Sequence, residues 1–445
     1  MTRFAPTEGV LSWGRVIRET QDVARPLWRE DLPGLLREDT AAGRSCLAIG
    51  ARRSYGDSGL NGGQTVIDMT GLDRGIAFDP ARRTMRAEAG MTFDALLPIL
   101  LRSGHFLPVT PGTRFVTLGG AVANDVHGKN HHGAGTFGCW VRRLGLLRSD
   151  GVEWELTPDD PTGLFAATVG GLGLTGIITW VEFEVIPAGS ALMDTETVPF
   201  DDLDGFFAIA AESEAGFDYT VAWVDCLATG ASLGRGIFSR GRHAPTGTRL
   251  LADKTGPAVP FEFPELALNG LSVRAFNTLY NWRSRMKAGK AVVPALSFFY
   301  PLDALRHWNR IYGRRGMYQY QSVVPPSAAR EATRAMLQTI AAAGQGSFLA
   351  VLKTFGDRVS PGLLSFPREG TTLALDFPNR GSDTLSLLDR LDAIVREAGG
   401  RLYPAKDGRL PPDLFRSGYP ALGAFEHHVD PQFSSRFWRR MQAAA

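Results

Sequence analysis

Side chains and backbone that could bind an anion crowd into the stretch from Pro108 to Gly138, which is rich in glycine, threonine, asparagine and histidine. Its glycines allow positive φ angles and close approach of the backbone to a ligand, and their amides can point at an anion. Apolar residues remain spaced through the stretch, unlike the composition of a flexible linker. The pattern therefore favours a cradle for a phosphate-bearing cofactor over a plain surface loop.

Two further glycine-rich segments have the same character. The segment Gly50–Gly63 adds donors from Arg52, Arg53, Ser54 and Tyr55, which suit a diphosphate, although such turns also merely join strands. The letters Gly171-x-Gly173-x-x-Gly176 match a dinucleotide fingerprint, but a β-branched and aromatic strand follows where that motif needs a helix. These glycines therefore have two possible roles: a close approach of the backbone to the same ligand, or a plain turn at the start of a strand.

Polar side chains also interrupt apolar strands further along the chain. Gln319 and Gln321 alternate on one strand face, and Lys353 stands between Leu352 and Phe355. An unpaired polar group in a buried strand costs a few kcal/mol, which favours a lined pocket. Adjacent histidines at 131 and 132 point apart and no carboxylate lies at a supporting interval, so we expect no metal site.

Length and composition limit the class of protein. The chain has 445 residues and a net charge of +2, with 44% hydrophobic and 21% charged residues, which is typical of a folded two-domain protein. Neither the charge nor any motif indicates nucleic-acid binding. Three separated cysteines give no disulfide framework or thiolate site and fit a reducing compartment. We find no signal peptide or transmembrane segment and expect a cytoplasmic protein.

The elements that must position these residues follow from the periodicity. A helix capped by Thr92 and ending at Gly104 leads into the stretch 108–138, and Asp150-Gly151 marks a hairpin between strands 141–147 and 152–156. A domain boundary is expected at Pro187–Ser190. Beyond it, the pattern predicts an antiparallel sheet covered by the helices 328–343 and 382–398, with strands at 219–225, 295–300, 317–324, 347–355 and 371–377.

The segment Lys254–Lys290 is less regular and mixes aromatic with basic residues, including Trp282, Arg283 and Lys287. This mixture suits either contact with lipid phosphate or a solvated mobile loop. The loop is the favoured reading.

Several motifs together resemble the vanillyl-alcohol-oxidase family of FAD enzymes, and within it the members that oxidise decaprenylphosphoryl-β-D-ribose. They are GARRSYGDSGLNGG, VTPGTRFVTLGGAVANDVHGKNHHGAGTFG, ATVGGLGLTGII, MYQYQSVVP, SFLAVLKTFG and GGRLYPAKDGR, in this order. The resemblance implies an α+β, two-domain PCMH-type fold. Residues 1–190, completed by 401–445, would bind FAD, and residues 191–400 would form an antiparallel-sheet substrate domain covered by helices.

The resemblance also implies roles for individual residues. FAD, held without a covalent bond, would contact Gly50, Ala51, Arg52, Arg53, Ser54, Tyr55, Gly56, Asp57, Gly112, Thr117, Leu118, Gly119, Gly120, Asn124, Asp125, Val126, His127, Ile178 and Tyr403. The catalytic candidates are His127, Lys406, Tyr55 and Lys353. Substrate would contact Lys129, Trp223, Phe298, Phe299, Gln319, Gln321, Lys353, Phe355, Thr372, Ala374 and Lys406. Lys406 would stabilise negative charge on the reduced flavin, with a surface lysine as the alternative, and either His127 or Tyr55 would take the substrate proton.

The implied activity is oxidation of the 2-hydroxyl of a polyprenylphosphoryl-β-D-ribose to the 2-keto sugar, as the first half of an epimerisation in arabinan and cell-wall biosynthesis. A sugar-alcohol or aldonolactone oxidase and a non-catalytic flavin-binding protein are the alternatives. The resemblance leaves room for an NAD(P)H-dependent reductase partner and for peripheral contact with the inner membrane. Ala374 and Thr372 depart from the cysteine and asparagine of the mycobacterial pattern.

Overall fold

The computed structural model describes residues 4–251 and 256–443. Lys254, where the less regular segment was expected to begin, lies outside these residues. The described chain forms an α+β fold of three main sheets with helices packed against them, as expected from the sequence.

Two of these sheets belong to the N-terminal part of the chain. A mixed sheet has the strand order Ala5–Thr7, Gln21–Ala24, Thr65–Asp68 and Ala48–Ile49. The first pair of neighbouring strands is antiparallel, and the other two pairs are parallel. An antiparallel sheet has the order Gly75–Asp79, Thr84–Glu88, Ile177–Glu184, Val141–Leu147 and Glu153–Leu156. A short pair joins His105–Phe106 to Ile186–Pro187. Helices pack around these sheets at Leu32–Ala41, Phe93–Arg102, Leu118–Ala123, His131–Ala134 and Leu164–Thr168.

The largest sheet is antiparallel throughout and has eight strands within the described residues. Their order is Gly289–Pro294, Leu192–Phe200, Gly236–His243, Tyr219–Val224, Ala350–Phe355, Gly370–Pro378, Met317–Val324 and Arg401–Leu402. Helices associated with it are Leu203–Ser213, Gly270–Met286, Ala295–Phe299, Ala329–Ala343 and Ser382–Glu397. The expected helix-covered antiparallel sheet is therefore present.

The sequence prediction was wrong at the segment 295–300, which forms the helix Ala295–Phe299 and not a strand. A short apolar run bears no periodicity that separates a strand from a buried helical turn. The strand lies just before it, at Gly289–Pro294, and Ala295, Leu296 and Phe299 pack into the core as one helical face.

The preference for a loop between residues 254 and 290 was also wrong, because the segment contains the helix Gly270–Met286, which includes Trp282 and Arg283. A capping box begins this helix: Asn269 accepts from the amide of Ser272, and the Ser272 hydroxyl accepts from the amide of Asn269. The mixture of aromatic and basic residues favoured a loop, and two of the three buried positions of the helix are the polar residues Asn277 and Asn281.

The C-terminal segment contacts both halves of the chain. The Cys46 amide donates to the Gln432 carbonyl at 2.8 Å, and Arg440 forms two hydrogen bonds of 3.0 Å with Asp57. On its other side the helix Arg436–Gln442 packs Phe437 into the core under the largest sheet. The helices Pro412–Gly418 and Leu422–Glu426 precede it. The division into 1–190 with 401–445 and 191–400 stays a prediction.

None of the helices in the described ranges has the length and apolar content needed to cross a bilayer.

Candidate active site

A cavity of about 970 Å³ lies between the N-terminal loops and one face of the largest sheet. The loop after Ile49 and the stretch 108–138 form one side. Strand residues at alternate positions, such as Gln319 with Gln321 and Thr372 with Ala374, form the other. The period-two alternation explains this arrangement, because residues i and i+2 of a strand share a face.

The first side offers backbone donors, and we call the four consecutive residues Ala51–Ser54 the amide wall. Their N–H groups donate to no acceptor among the described residues, and Arg52 has a φ of 56°. The wall is held in place because the Tyr55 amide donates to the Ala405 carbonyl at 2.9 Å and the Ser54 carbonyl accepts from the Trp13 amide at 2.8 Å. Successive free N–H groups in such a turn form an anion-binding concavity.

Gly50 shows why the wall needs glycine beside it. A Cβ at this position would overlap the Thr117 hydroxyl oxygen, and that oxygen accepts from the Gly120 amide to cap the helix Leu118–Ala123. Gly119 is equally confined, since a Cβ there would lie 2.8 Å from the Ala89 Cβ. The backbone of the loop and the start of the helix are thereby brought together along the cavity.

Three lysines face the same cavity, and we call Lys129, Lys353 and Lys406 the lysine cluster. Burial, and to a smaller extent the charge of a neighbouring lysine, lowers the pKa of Lys129 and of Lys353 to about 7. Burial also lowers the pKa of Lys406 to about 8, against the opposing effect of Asp376. Such a concentration of like charge is matched by an anionic ligand.

The lysines are oriented by carbonyl groups and aromatic rings. Lys129 donates to the Phe298 carbonyl, and its ammonium lies 4.6 Å from the Phe298 ring centre. Lys353 donates to the Gly128 carbonyl at 3.4 Å, and the Lys406 ammonium lies 4.4 Å from the centre of the Tyr55 ring. Cation–π contacts of this kind hold a desolvated ammonium without neutralising it.

His127 lies at the centre of the cavity wall. Its Nε2 is 2.9 Å from the Gln321 side-chain nitrogen, while its buried Nδ1 has no partner among the described residues. Burial, followed by the charge of Lys353, holds the pKa of His127 well below its usual range. The imidazole is therefore neutral at pH 7.

Tyr55 differs from His127 in its protonation. Burial and the nearby Asp376 raise the pKa of the Tyr55 phenol well above its usual range, so that the phenol keeps its proton. Asp376 accepts from the Gln319 amide at 2.6 Å, and burial raises the pKa of this carboxyl to about 7. Of the two candidate bases, the electrostatics favour His127.

Apolar and aromatic side chains form the remaining wall beside the lysine cluster. Trp223 donates through its indole N–H to the Phe348 carbonyl at 3.0 Å, which leaves its ring against the cavity. Phe298 and Phe299 pack edge to face at 5.2 Å. Such a wall suits an apolar portion of a ligand.

The structure brings most of the residues named from the sequence to this one cavity. Those that line it are Gly50, Ala51, Arg52, Arg53, Ser54, Tyr55, Gly112, Thr117, Gly119, Gly120, Asn124, Val126, His127, Lys129, Ile178, Trp223, Phe298, Phe299, Gln319, Gln321, Lys353, Thr372, Ala374, Tyr403 and Lys406. Lys406 belongs to the cavity and not to the outer surface. Gly173 and Gly176 also line it, which favours the close approach over a plain turn for these glycines.

Five named residues lie behind the lining. Gly56 packs against Gly408, Asp57 pairs with Arg440, and Leu118 is buried in the core. Asp125 accepts from the Ser360 and Ser365 hydroxyls and from the Gly138 amide, and therefore ties the stretch 108–138 together. Phe355 packs on His127 with ring centres 4.9 Å apart. These side chains support the lining rather than form it.

Other lining residues were missed from the sequence, including Trp13, Thr195, Thr197, Ser239, Asp303 and His307. Thr195 and Thr197 could have been found from the sequence, since residues two apart in a strand share a face. His307 had no such signal, because it lies in an irregular segment and adopts a φ of 55°. Within the described residues, no group of His, Cys, Asp and Glu side chains could hold a metal ion.

Comparison with known proteins identifies the family. A family model described as an FAD binding domain matches residues 21–157. The decaprenylphosphoryl-β-D-ribose oxidase of Mycolicibacterium smegmatis is 38% identical over 98% of both chains. The chain belongs to the vanillyl-alcohol-oxidase family of FAD oxidoreductases.

Two more relatives show how far the similarity extends. An uncharacterized protein in the mprA 5′ region of Streptomyces coelicolor is 33% identical over 79% of this chain and 100% of its own. The D-arabinono-1,4-lactone oxidase of Yarrowia lipolytica is 21% identical over 40% of this chain and 34% of its own.

This family member is an FAD-dependent oxidoreductase, and its cavity fits the cofactor. The free N–H groups of the amide wall suit a diphosphate, and Gly50 and Gly119 let the backbone that borders the cavity pack closely against Thr117 and Ala89.

Proposed function

We propose that this oxidoreductase oxidises the 2-hydroxyl of a polyprenylphosphoryl-β-D-ribose to a 2-keto sugar. The observation that carries the proposal is the lysine cluster beside an apolar wall, since a lipid-linked sugar phosphate presents an anion next to a hydrocarbon chain. The full-length relationship to the M. smegmatis oxidase supports the same substrate class.

The reaction removes two electrons and two protons from the carbinol. Bound FAD supplies the acceptor for the hydride that leaves C2. His127 takes the hydroxyl proton at a ring nitrogen, so that a C=O bond replaces the C–O–H and C–H bonds. For this step the Gln321 amide presents its oxygen to the Nε2–H group across the 2.9 Å contact, which leaves the lone pair of Nδ1 to take the proton, and Phe355 packs against the ring.

The lysines act through charge. Lys406, held over Tyr55, stabilises the negative charge that develops as the hydride is transferred. Lys129 and Lys353 bind the phosphate or hydroxyl oxygens of the sugar. The loop 50–57 contains no histidine or cysteine that could bond the flavin, and we infer that FAD is dissociable.

We further propose that the keto sugar passes to an NAD(P)H-dependent reductase, which completes an epimerisation to the arabinose derivative of cell-wall arabinan. The protein would work in the cytoplasm in peripheral contact with the inner membrane, from which it takes its substrate.

A sugar-lactone oxidase is the second candidate, because Ala374 and Thr372 depart from the mycobacterial pattern on the cavity wall and lactone oxidases are among the relatives. Anaerobic mixing of the FAD-bound protein with farnesylphosphoryl-β-D-ribose or with D-arabinono-1,4-lactone separates the two. The proposal expects the lipid-linked ribose to bleach the flavin absorbance. Bleaching by the lactone alone would replace it with the second candidate, and bleaching by neither would favour a flavin-binding protein without turnover.

A further inference from the structure

The helix Gly270–Met286 buries polar side chains and exposes apolar ones. Its inward residues include Asn277 and Asn281, beside Val273. Asn277 donates through its side-chain nitrogen to the Asp225 carboxylate at 3.0 Å and to the Ser347 carbonyl at 3.3 Å. These polar contacts, together with the buried Val273 and the rings of Phe276 and Tyr280, attach the helix to the sheet. Its other large hydrophobic residues face outwards.

The opposite face carries a continuous apolar stripe. At about 100° per residue, its six members fall within a sector of about 100°. We call them the outer stripe: Leu271, Ala275, Thr278, Leu279, Trp282 and Met286. Leu271 is 82% exposed, Met286 70%, Leu279 60% and Trp282 58%. A contiguous exposed patch of this kind marks an interaction site.

Basic residues border the outer stripe. On a helical projection Arg274 lies on one side and Arg283 on the other, and Lys287 and Lys290 follow the helix. From residue 266 to residue 300 the chain has no aspartate or glutamate. Arg285 pairs with Asp201 at 2.6 Å and contributes less free charge. Apolar residues bordered by bases are typical of a helix that lies in the interface of an anionic bilayer.

The same helix also borders the cavity. Tyr280 lines it, and its ring centre lies 4.7 Å from that of Trp223 on the apolar wall. Val293, from the edge strand that follows the helix, lines it as well. A surface that meets the outer stripe would therefore lie next to the apolar part of the cavity.

We propose that the outer stripe docks on a membrane surface containing anionic lipid and brings the cavity to its lipid-linked substrate. The identity of the substrate rests on the proposed function, whereas the docking does not. The occupant is a bilayer, since a phospholipid surface matches both the apolar stripe and the basic border.

Flotation of the FAD-bound protein with vesicles tests the docking without turnover. We expect binding to vesicles of phosphatidylcholine with phosphatidylglycerol, weaker binding to phosphatidylcholine alone, and release by high salt. The double variant Leu279→Ser with Trp282→Ser should lower partitioning about tenfold or more, because each side chain loses apolar burial. The matched control, Val152→Ser with Trp154→Ser, removes exposed apolar residues elsewhere and should bind like the wild type.

Flavin bleaching by farnesylphosphoryl-β-D-ribose in vesicle-free solution should be the same in wild type, stripe variant and control, which separates docking from chemistry. Equal flotation of stripe variant and wild type would overturn the proposal. A second result would also overturn it: the wild type does not bind vesicles, sediments as a dimer, and becomes a monomer in the stripe variant. A second copy of the chain would then cover the stripe. Failure of bleaching with retained flotation would instead overturn only the proposed substrate.

Discussion

The amide wall and the lysine cluster line one cavity but are built in different ways. The amide wall is four consecutive residues whose backbone donors are free, next to glycines that local sterics require. The lysine cluster brings together residues 129, 353 and 406 from separate parts of the chain, and it depends on side chains held by carbonyls and rings. We therefore expect the amide wall to govern cofactor binding and the lysine cluster to govern turnover. Perturbing either wall should therefore change its own property more than the other.

Replacing Lys406 should give the largest effect. Lys406→Ala removes the cation that faces developing negative charge, and we expect flavin reduction to slow on the order of 100- to 1000-fold. FAD content should stay near the wild-type value, because the amide wall is unchanged. Anaerobic stopped-flow absorbance measures the rate, with Lys287→Ala as the exposed-lysine control. A variant that loses FAD in proportion to its activity would place Lys406 in cofactor binding instead.

Replacing Gly50 should reverse that pattern. Gly50→Val forces a side chain into Thr117 and displaces the amide wall, so we expect FAD affinity to fall about 10- to 100-fold. Titration of the apoprotein with FAD, followed by flavin fluorescence, gives the dissociation constant. Gly423→Ala is the matched control, since a Cβ at that helical position has open space. Unchanged affinity in Gly50→Val would break the distinction between the walls.

The pH dependence should report on the lysine cluster together with Asp376, whose carboxyl has a pKa of about 7 and gains negative charge over the same range. Lys129 and Lys353, each with a pKa of about 7, are charged below pH 7 and lose their charge above it. Since only the charged form attracts a phosphate, kcat/KM for the lipid-linked ribose should fall about tenfold between pH 6 and pH 8. Lys353→Met should flatten the profile as well as lower it. A profile that rises with pH through this range would contradict the assignment.

Ala374 should have the smallest effect on rate. It lines the cavity without a polar group, and Ala374→Cys should change kcat/KM by less than about threefold. The new thiol should react with iodoacetamide and be protected by substrate, as mass spectrometry of the modified peptide would show. Of the native cysteines, Cys46 and Cys226 are buried, and the partly exposed Cys139 gives the background level of labelling. Labelling that substrate does not prevent would place position 374 outside the substrate's path.

The sequence predicted the amide wall better than the fold around it. Glycines and donors in Gly50–Gly63 carry a local signal, because a backbone cradle uses neighbouring residues. Alternation likewise placed Gln319 and Gln321 on one face. Asp57 and Asp125 were misplaced, since their partners, Arg440 and the hydroxyls of Ser360 and Ser365, are far away in sequence. The helix Gly270–Met286 was missed because its mixture of aromatic and basic residues favoured a loop and two of its three buried positions are asparagines.

A single anaerobic experiment tests whether hydrogen is transferred from C2 of the sugar to the flavin. Farnesylphosphoryl-β-D-ribose with hydrogen or deuterium at C2 is mixed with the FAD-bound protein while the flavin absorbance is followed. We expect bleaching, a several-fold slower rate for the deuterated sugar, and a 2-keto product that has lost its deuterium. Persistent absorbance, or equal rates with deuterium retained in the sugar, would contradict it.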